Sequence, residues 1–353
     1  MSENEHAKIS AAILPAADPA WLALRQEEVI EPHLPVVDPH HHLWDAPRVR
    51  YLADEMYADA TAGHNVIATV FVDCTERYRT TGPENMKPVG ETEFVAEIAR
   101  ASAAGAYGKV AMCAGIVGRA DLVEGASVEE VLLAHIEAGC GYFKGIRQST
   151  AWDPSPDVRT TARTPPAGVL LDPTVRQGFA KLRPLGLTFD AWVYHHQLGD
   201  VVDLAKAFPD QPIVLDHVGG PIGIGPYAGK RDEVFQHWKK GILDVAACPN
   251  VSVKLGGLAM RLGGFGFHEQ PVPPSSEDLA KAWAPYVHTC IEAFGPDRCM
   301  FESNFPVDQI STSYLVLWNA FKRLIAGYSE DEKIAMLSGT AIRFYNLEGA
   351  LKA

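Results

Sequence analysis

Val36-Val37-Asp38-Pro39-His40-His41-His42-Leu43-Trp44 is a short apolar run that ends in three consecutive histidines. In extended backbone, side chains at i and i+2 share a face, so His40 and His42 converge on one point while His41 turns away. An HxH pair at the end of an early strand is a metal-ligand arrangement. Packing alone is a poor explanation for three histidines in so apolar a setting. The same pattern recurs further along. Phe189-Asp190-Ala191-Trp192-Val193-Tyr194-His195-His196-Gln197 again ends in histidines. One of this pair completes a three-ligand set with His40 and His42. His196 is the favoured member, although a bulge or an early strand end would reverse the parity. Val214-Leu215-Asp216-His217-Val218-Gly219-Gly220-Pro221 sets His217 at a third strand end, beside glycines that let a ligand approach the backbone.

From Leu34 onward, apolar runs alternate with longer amphipathic stretches, the rhythm of a parallel sheet with crossover helices. The runs fall at residues 36–38, 66–73, 110–116, 142–147, 187–194, 213–215, 251–254 and 299–302. The helical stretches fall at 91–103, 128–137, 175–185, 201–207, 233–247, 276–294, 311–325 and 330–345. Eight strands, each followed by a helix or a long connection, predict an α/β fold of the distorted (β/α)8 TIM-barrel type. No dinucleotide fingerprint or P-loop pattern follows any of them. Residues 1–33 read as an N-terminal arm, loosely ordered at first, with a short helix over 19–26 capped by Asp18 and opened by Pro19. Residues 34–353 read as a single barrel domain. Three irregular connections, 75–90, 149–173 and 256–275, follow strands and read as pocket walls or lids.

The composition sets limits on partners. The chain has 353 residues, 47% hydrophobic and 21% charged, which is ample for a large core. Asp and Glu number 44 against 31 Lys and Arg, a net charge of −13, and such a surface repels phosphate backbones and anionic lipid. The expected partner is a small molecule, not nucleic acid or a membrane, and a homo-oligomer is compatible with the chain. The six cysteines are dispersed without a CxxC pair, as suits reduced thiols in the cytoplasm. No export signal or membrane span is expected.

Two strands carry cations where a buried parallel strand should be apolar. Lys144 and Arg147 lie in Phe143-Lys144-Gly145-Ile146-Arg147, and Lys254 lies in Val251-Ser252-Val253-Lys254-Leu255. Buried lysines are costly unless paired, so either carboxylate partners sit within the barrel or these cations bind substrate. Arg147 is best suited to grip a carboxylate, because a guanidinium does so bidentately. Trp44 and Tyr194, from the histidine-bearing runs, join the expected substrate contacts. The last strand ends in Glu302-Ser303-Asn304-Phe305-Pro306-Val307-Asp308, where Glu302 and Asn304 share a parity and face the interior together.

Taken in this order and spacing, VVDPHHHLWD, FKGIR, FDAWVYHHQL, IVLDHVGGP, VSVKLGGL and MFESNFPVD resemble the amidohydrolase superfamily. The resemblance is to the amidohydrolase-2 branch of 2-pyrone-4,6-dicarboxylate and sugar lactonases. It implies a distorted barrel that hydrolyses lactones or related cyclic esters and amides, with a divalent metal, zinc foremost, in some members and none in others. Many relatives end the eighth strand with Ser-Asp-Trp-Pro, whose Asp activates water; here Asn304 stands in that place, and a carboxamide accepts no proton at neutral pH. The implied enzyme opens the ring of a small, carboxylated compound, with Glu302 or His217 as general base and Asn304 beside them. A metal-dependent decarboxylase or hydratase, and a barrel that binds ligand without turnover, are the alternatives.

Overall fold

The computed structural model describes residues 17–46, 49–158 and 165–351, so the start of the N-terminal arm lies outside the described residues. β1 (Pro35–His41) leads into a small antiparallel hairpin of β2 (Trp44–Ala46) and β3 (Val49–Tyr51). β4 (Asn65–Val72), β5 (Ala111–Gly118), β6 (Phe143–Ser149) and β7 (Thr188–Trp192) follow. β8 (Ile213–Leu215), β9 (Val251–Leu255) and β10 (Cys299–Phe301) complete the set. β1 and β4 to β10 form one eight-stranded parallel sheet in chain order. A parallel bridge between His41 and Phe305 joins its two ends. There the His42 N–H donates to Phe305 O (2.7 Å) and the Asn304 N–H to His40 O (2.9 Å). The expected (β/α)8 barrel is the fold.

All eight runs read from the sequence are strands, with ends that move for local reasons. β1 runs on through His41 because the segment at 303–305 supplies partners for its backbone. β7 stops at Trp192, where Gln197 Oε1 accepts from the Tyr194 N–H (3.1 Å) and the Trp152 N–H (2.9 Å) and folds 195–197 into a tight turn. The helix expected over 175–185 is Pro173–Phe179, followed by a separate turn, Arg183–Leu185. Pro184 has no N–H for the helix and crowds the preceding turn. Asp18 does cap the first helix, accepting from the Ala20 N–H (2.9 Å), but that helix spans only Pro19–Leu22. The stretch 330–345 is interrupted by a π turn at Ala335–Gly339. The hairpin and the helix Ala53–Ala60 are too short to show a period, and sequence reading misses both.

The core has two layers. Outward residues such as Phe71, Ile116, Ile146 and Phe189 pack against the surrounding helices. Inside, Val37, Val70, Val117 and Val214 meet Tyr345 and Leu347, because the segment after the last barrel helices folds across one end of the barrel. The other end, where the strands finish, holds the polar groups.

Candidate active site

Glu302 follows β10 directly and is fully buried. Its Oε1 accepts from His217 Nδ1 (2.6 Å) and from the His217 backbone N–H (3.1 Å), and its Oε2 lies 2.7 Å from His40 Nδ1. A carboxylate only accepts, so His217, hydrogen-bonded through Nδ1, carries its proton there and presents a bare Nε2; the 2.7 Å approach of His40 Nδ1 to the same carboxylate favours the same tautomer over acceptance from the Lys254 ammonium at 3.2 Å. His42 is fixed the same way, its Nδ1–H donating to Val72 O (2.8 Å). His40 Nε2 and His42 Nε2 then face each other at 3.3 Å. Burial, reinforced by Lys254 for His40 and by Arg147 for His42, holds both well below the usual histidine range. Burial also pushes Glu302 upward, but the His217 and His40 imidazoles draw it below the usual carboxylate range.

Backbone without side chains makes room for this clamp. A Cβ on Gly256 would stand 2.4 Å from Glu302 Cγ, and one on Gly257, whose φ is +67°, would stand 2.6 Å from His217 Cβ. Glycine is required at both, for close approach at the first and for conformation as well at the second.

Beneath the imidazoles lies a buried ion cluster. Lys254 Nζ pairs with Asp190 Oδ2 (2.6 Å) and Asp216 Oδ1 (3.0 Å), and stands 3.2 Å from His40 Nδ1. Tyr345, from the segment that crosses the far end of the barrel, donates to the same Asp190 oxygen (2.7 Å). Those carboxylates hold Lys254 protonated against the pull of burial. Of the two readings of Lys254 open in the sequence, the structure therefore has it paired with carboxylates inside the barrel. Arg147 Nε donates to Asp73 Oδ1 (2.8 Å), and its Nη1 lies 3.2 Å from His40 Nε2. Lys254 and Arg147 face four carboxylates, Asp73, Asp190, Asp216 and Glu302, so the cluster carries two negative charges in excess.

These residues fit a divalent metal. The imidazoles of His42 and His217 are held in the tautomer a metal needs and that of His40 is disposed to it, the carboxylates of the cluster outnumber its cations, and Asp216 Oδ2 receives no hydrogen bond from the described residues. His40, Asp216 and His217 lie close enough to share an ion. Nitrogens 3.3 Å apart also match the edge of a tetrahedron built on zinc–nitrogen bonds of about 2.0 Å.

Other expected residues are placed elsewhere. His196 is not with the HxH pair: the turn after β7 carries it outward, where its Nε2 meets Asp153 Oδ2 (3.0 Å) and its ring stacks on Tyr227. Lys144 lies at the opposite end of the barrel from Arg147 and donates to Asn346 O (3.2 Å). Trp44 does reach the site, its ring 4.9 Å from that of His42 and its Nε1–H on Cys74 O (3.1 Å). Tyr194 is one ring removed, packing on Trp192, which lies edge-on 4.7 Å from His217. Trp192, Tyr194, Ala151, Val158, Ile222 and Leu262 form an apolar cluster in which two of the three long connections meet. Asn304 donates to Asp308 Oδ1 (2.8 Å). Sequence reading left Asp73, Asp190 and Asp308 out of the site and noted Asp216 only as the strand-end neighbour of His217. Three of them carried a signal, since cations inside strands demand carboxylates on the strands beside them.

A family profile described as amidohydrolase matches residues 37–347. The uncharacterized protein y4mH of Sinorhizobium fredii is 32% identical over 334 residues, which cover 88% of this chain and 98% of that protein. An L-fucono-1,5-lactonase of Burkholderia multivorans is 28% identical over 181 residues, 50% of this chain and 57% of the lactonase. A crystal structure of an amidohydrolase from Burkholderia multivorans with bound zinc shares the fold, at 24% identity and a TM-score of 0.67, covering 88% of this chain and 99% of that one. The profile spans the barrel from its first strand to the segment that crosses its far end, and the chain is an enzyme of the amidohydrolase family.

Proposed function

We propose that this enzyme hydrolyses an uncharged, sugar-derived lactone to its hydroxy acid, with His217 as general base and His40 and His42 as ligands of a divalent metal, zinc foremost. The observation that carries the reading is the Glu302 carboxylate shared between His40 and His217, which holds one imidazole for a ligand and the other for a base. His40 and His42, with Asp216 at hand, would hold a divalent ion, which when bound would supply Lewis-acid polarisation of the lactone carbonyl. His217 Nε2 takes a proton from water as the water oxygen attacks the carbonyl carbon. The tetrahedral adduct then expels the ring oxygen, which takes the proton back from His217 and leaves as a hydroxyl. Glu302 stays ionised throughout, since a carboxylate so strongly stabilised by two imidazoles is a weak proton acceptor.

The charge pattern supports an uncharged substrate, where the sequence suggested a carboxylated one. Each cation of the cluster is already matched by carboxylates, so none is left over for a substrate carboxylate. The lactonase named among the relatives acts on a sugar-derived lactone, which agrees. A panel of neutral aldonolactones and carboxylated lactones, followed by acid release, tests this. Ring opening of neutral members is expected, and turnover confined to carboxylated ones would overturn the substrate class.

Arg147 is the cation of the cluster with part of its side chain exposed, 13%, so it is the one placed to meet a substrate oxygen. Arg147→Met is expected to raise KM about ten- to a hundredfold, the equivalent of losing one charge-assisted hydrogen bond of ~1.5 to 3 kcal/mol. Unchanged KM with lowered stability would confine Arg147 to its pairing with Asp73. For the metal, elemental analysis of active enzyme is expected to find about one equivalent of divalent ion, and His42→Ala should reduce it severely. Full activity with less than about a tenth of an equivalent would leave polarisation to Arg147.

A further inference from the structure

Asn304 lies two residues beyond Glu302, and one turn later the chain supplies a buried carboxylate, Asp308. The two side chains are in contact. Asn304 Nδ2 donates to Asp308 Oδ1 (2.8 Å), and the Ala259 N–H donates to Asp308 Oδ2 (3.1 Å). The backbone of Asn304 is held as well, its N–H on His40 O (2.9 Å) and its φ at +55°. An ionised carboxylate offers only acceptors, so the amide must turn its NH2 toward Asp308 and its Oδ1 away. That Oδ1 receives no hydrogen bond from the described residues.

We infer that Asp308 is a positioning residue that fixes the Asn304 carboxamide with its oxygen free, so that Asn304 serves as a one-way acceptor for an O–H group of the attacking water. The inference rests on the lactone-hydrolase reading for its chemistry and on the Asn304–Asp308–Ala259 contacts for its geometry. Asn304 thereby supplies an acceptor while leaving the proton transfer to His217. Burial pushes the Asp308 carboxyl up to about 7, against the pull of His217, Asn304 and the Ala259 N–H. His217 and Glu302 are the titratable groups that face it, and assays at pH 8.5 keep it ionised.

The arrangement makes a reciprocal exchange informative. In Asp308→Asn, the new amide must give its oxygen to the Ala259 N–H and hence its NH2 to residue 304. Asn304 then has to invert and present its own NH2 where an acceptor was. Combining Asp308→Asn with Asn304→Asp restores the pattern, because the exchanged pair again has one donor amide and one acceptor-only carboxylate. The single variant Asp308→Asn is expected to lose about ten- to a hundredfold in kcat with KM and thermal midpoint little changed. The exchanged pair should regain most of that loss. Wild-type kcat in Asp308→Asn, or an exchanged pair no faster than the single variant, would overturn the inference. Should the wild-type chain open no lactone, the proposed function falls, and the orientation is then read from atomic-resolution crystal structures. Inversion of the Asn304 amide between wild type and Asp308→Asn upholds the inference, and one orientation in both overturns it.

Discussion

Glu302→Gln lowers kcat by roughly 1,000- to 10,000-fold while the barrel stays folded, the size of loss seen when a catalytic imidazole is left in the wrong tautomer. Glutamine keeps the shape of the side chain but has one acceptor oxygen and one NH2. His217 now donates its Nδ1 proton to one carboxylate oxygen at 2.6 Å, and His40 Nδ1 approaches the other at 2.7 Å. In the variant one of them has to face an N–H, so its proton moves to Nε2 and its lone pair turns away from the site. If that ring is His40, a metal ligand is lost; if it is His217, the base is lost. Where His40 is the ring affected, metal content separates this role from that of a direct base. A clamp that orients ligands loses about ten- to a hundredfold in metal affinity when it is altered, whereas removing a base leaves the ion in place. A folded Glu302→Gln enzyme with near-normal kcat would overturn the assignment.

Lys254→Met is expected to destabilise the fold by about 3 to 5 kcal/mol, measured by urea unfolding, because it strips the cation from two buried carboxylates. The ammonium lies 2.6 Å from Asp190 and 3.0 Å from Asp216, and all three side chains are sealed from solvent. Without it the carboxylates repel each other in a medium of low dielectric, and one of them must take up a proton. Burial already pushes Asp190 up to about 6, with Lys254 the main pull downward. Adding Asp190→Asn and Asp216→Asn to Lys254→Met removes both charges and should recover a large part of the loss. A destabilisation of under about 1 kcal/mol for Lys254→Met would show that the pair contributes little to the fold.

The barrel was legible because each of its strands is a short apolar run between amphipathic stretches, and burial enforces that pattern whatever the chemistry. The HxH spacing was legible for the same reason: parity along β1 is a property of extended backbone, and His40 and His42 do face each other. Parity failed at His196 because a turn fixed by Gln197, a side chain a few residues beyond the strand end, decides where the histidines go. Lys144 and Arg147 share a strand and a charge, but three residues of extended chain put about 10 Å between them, enough to separate the two ends of a barrel. Asp73 and Asp190 were read as strand residues, not partners, since which strands are neighbours in space follows only from barrel closure.

That closure runs through the chemistry. The backbone bonds joining the two edges of the sheet are made by His40, His42, Asn304 and Phe305, so the seam of the barrel and the floor of the site are one set of atoms. Asp38 fastens the same joint, accepting from the Ser303 N–H (2.9 Å) and from the Tyr314 hydroxyl (3.0 Å). The two edges are separated by more than two-thirds of the chain, and contacts of such long range carry a large loop-closure cost before they return any stabilisation. A half-built barrel therefore has no half-built site. The contact of His40 with Glu302 is itself a rivet across the seam, and any ligand that binds only the closed barrel adds its affinity to the free energy that keeps the cylinder shut.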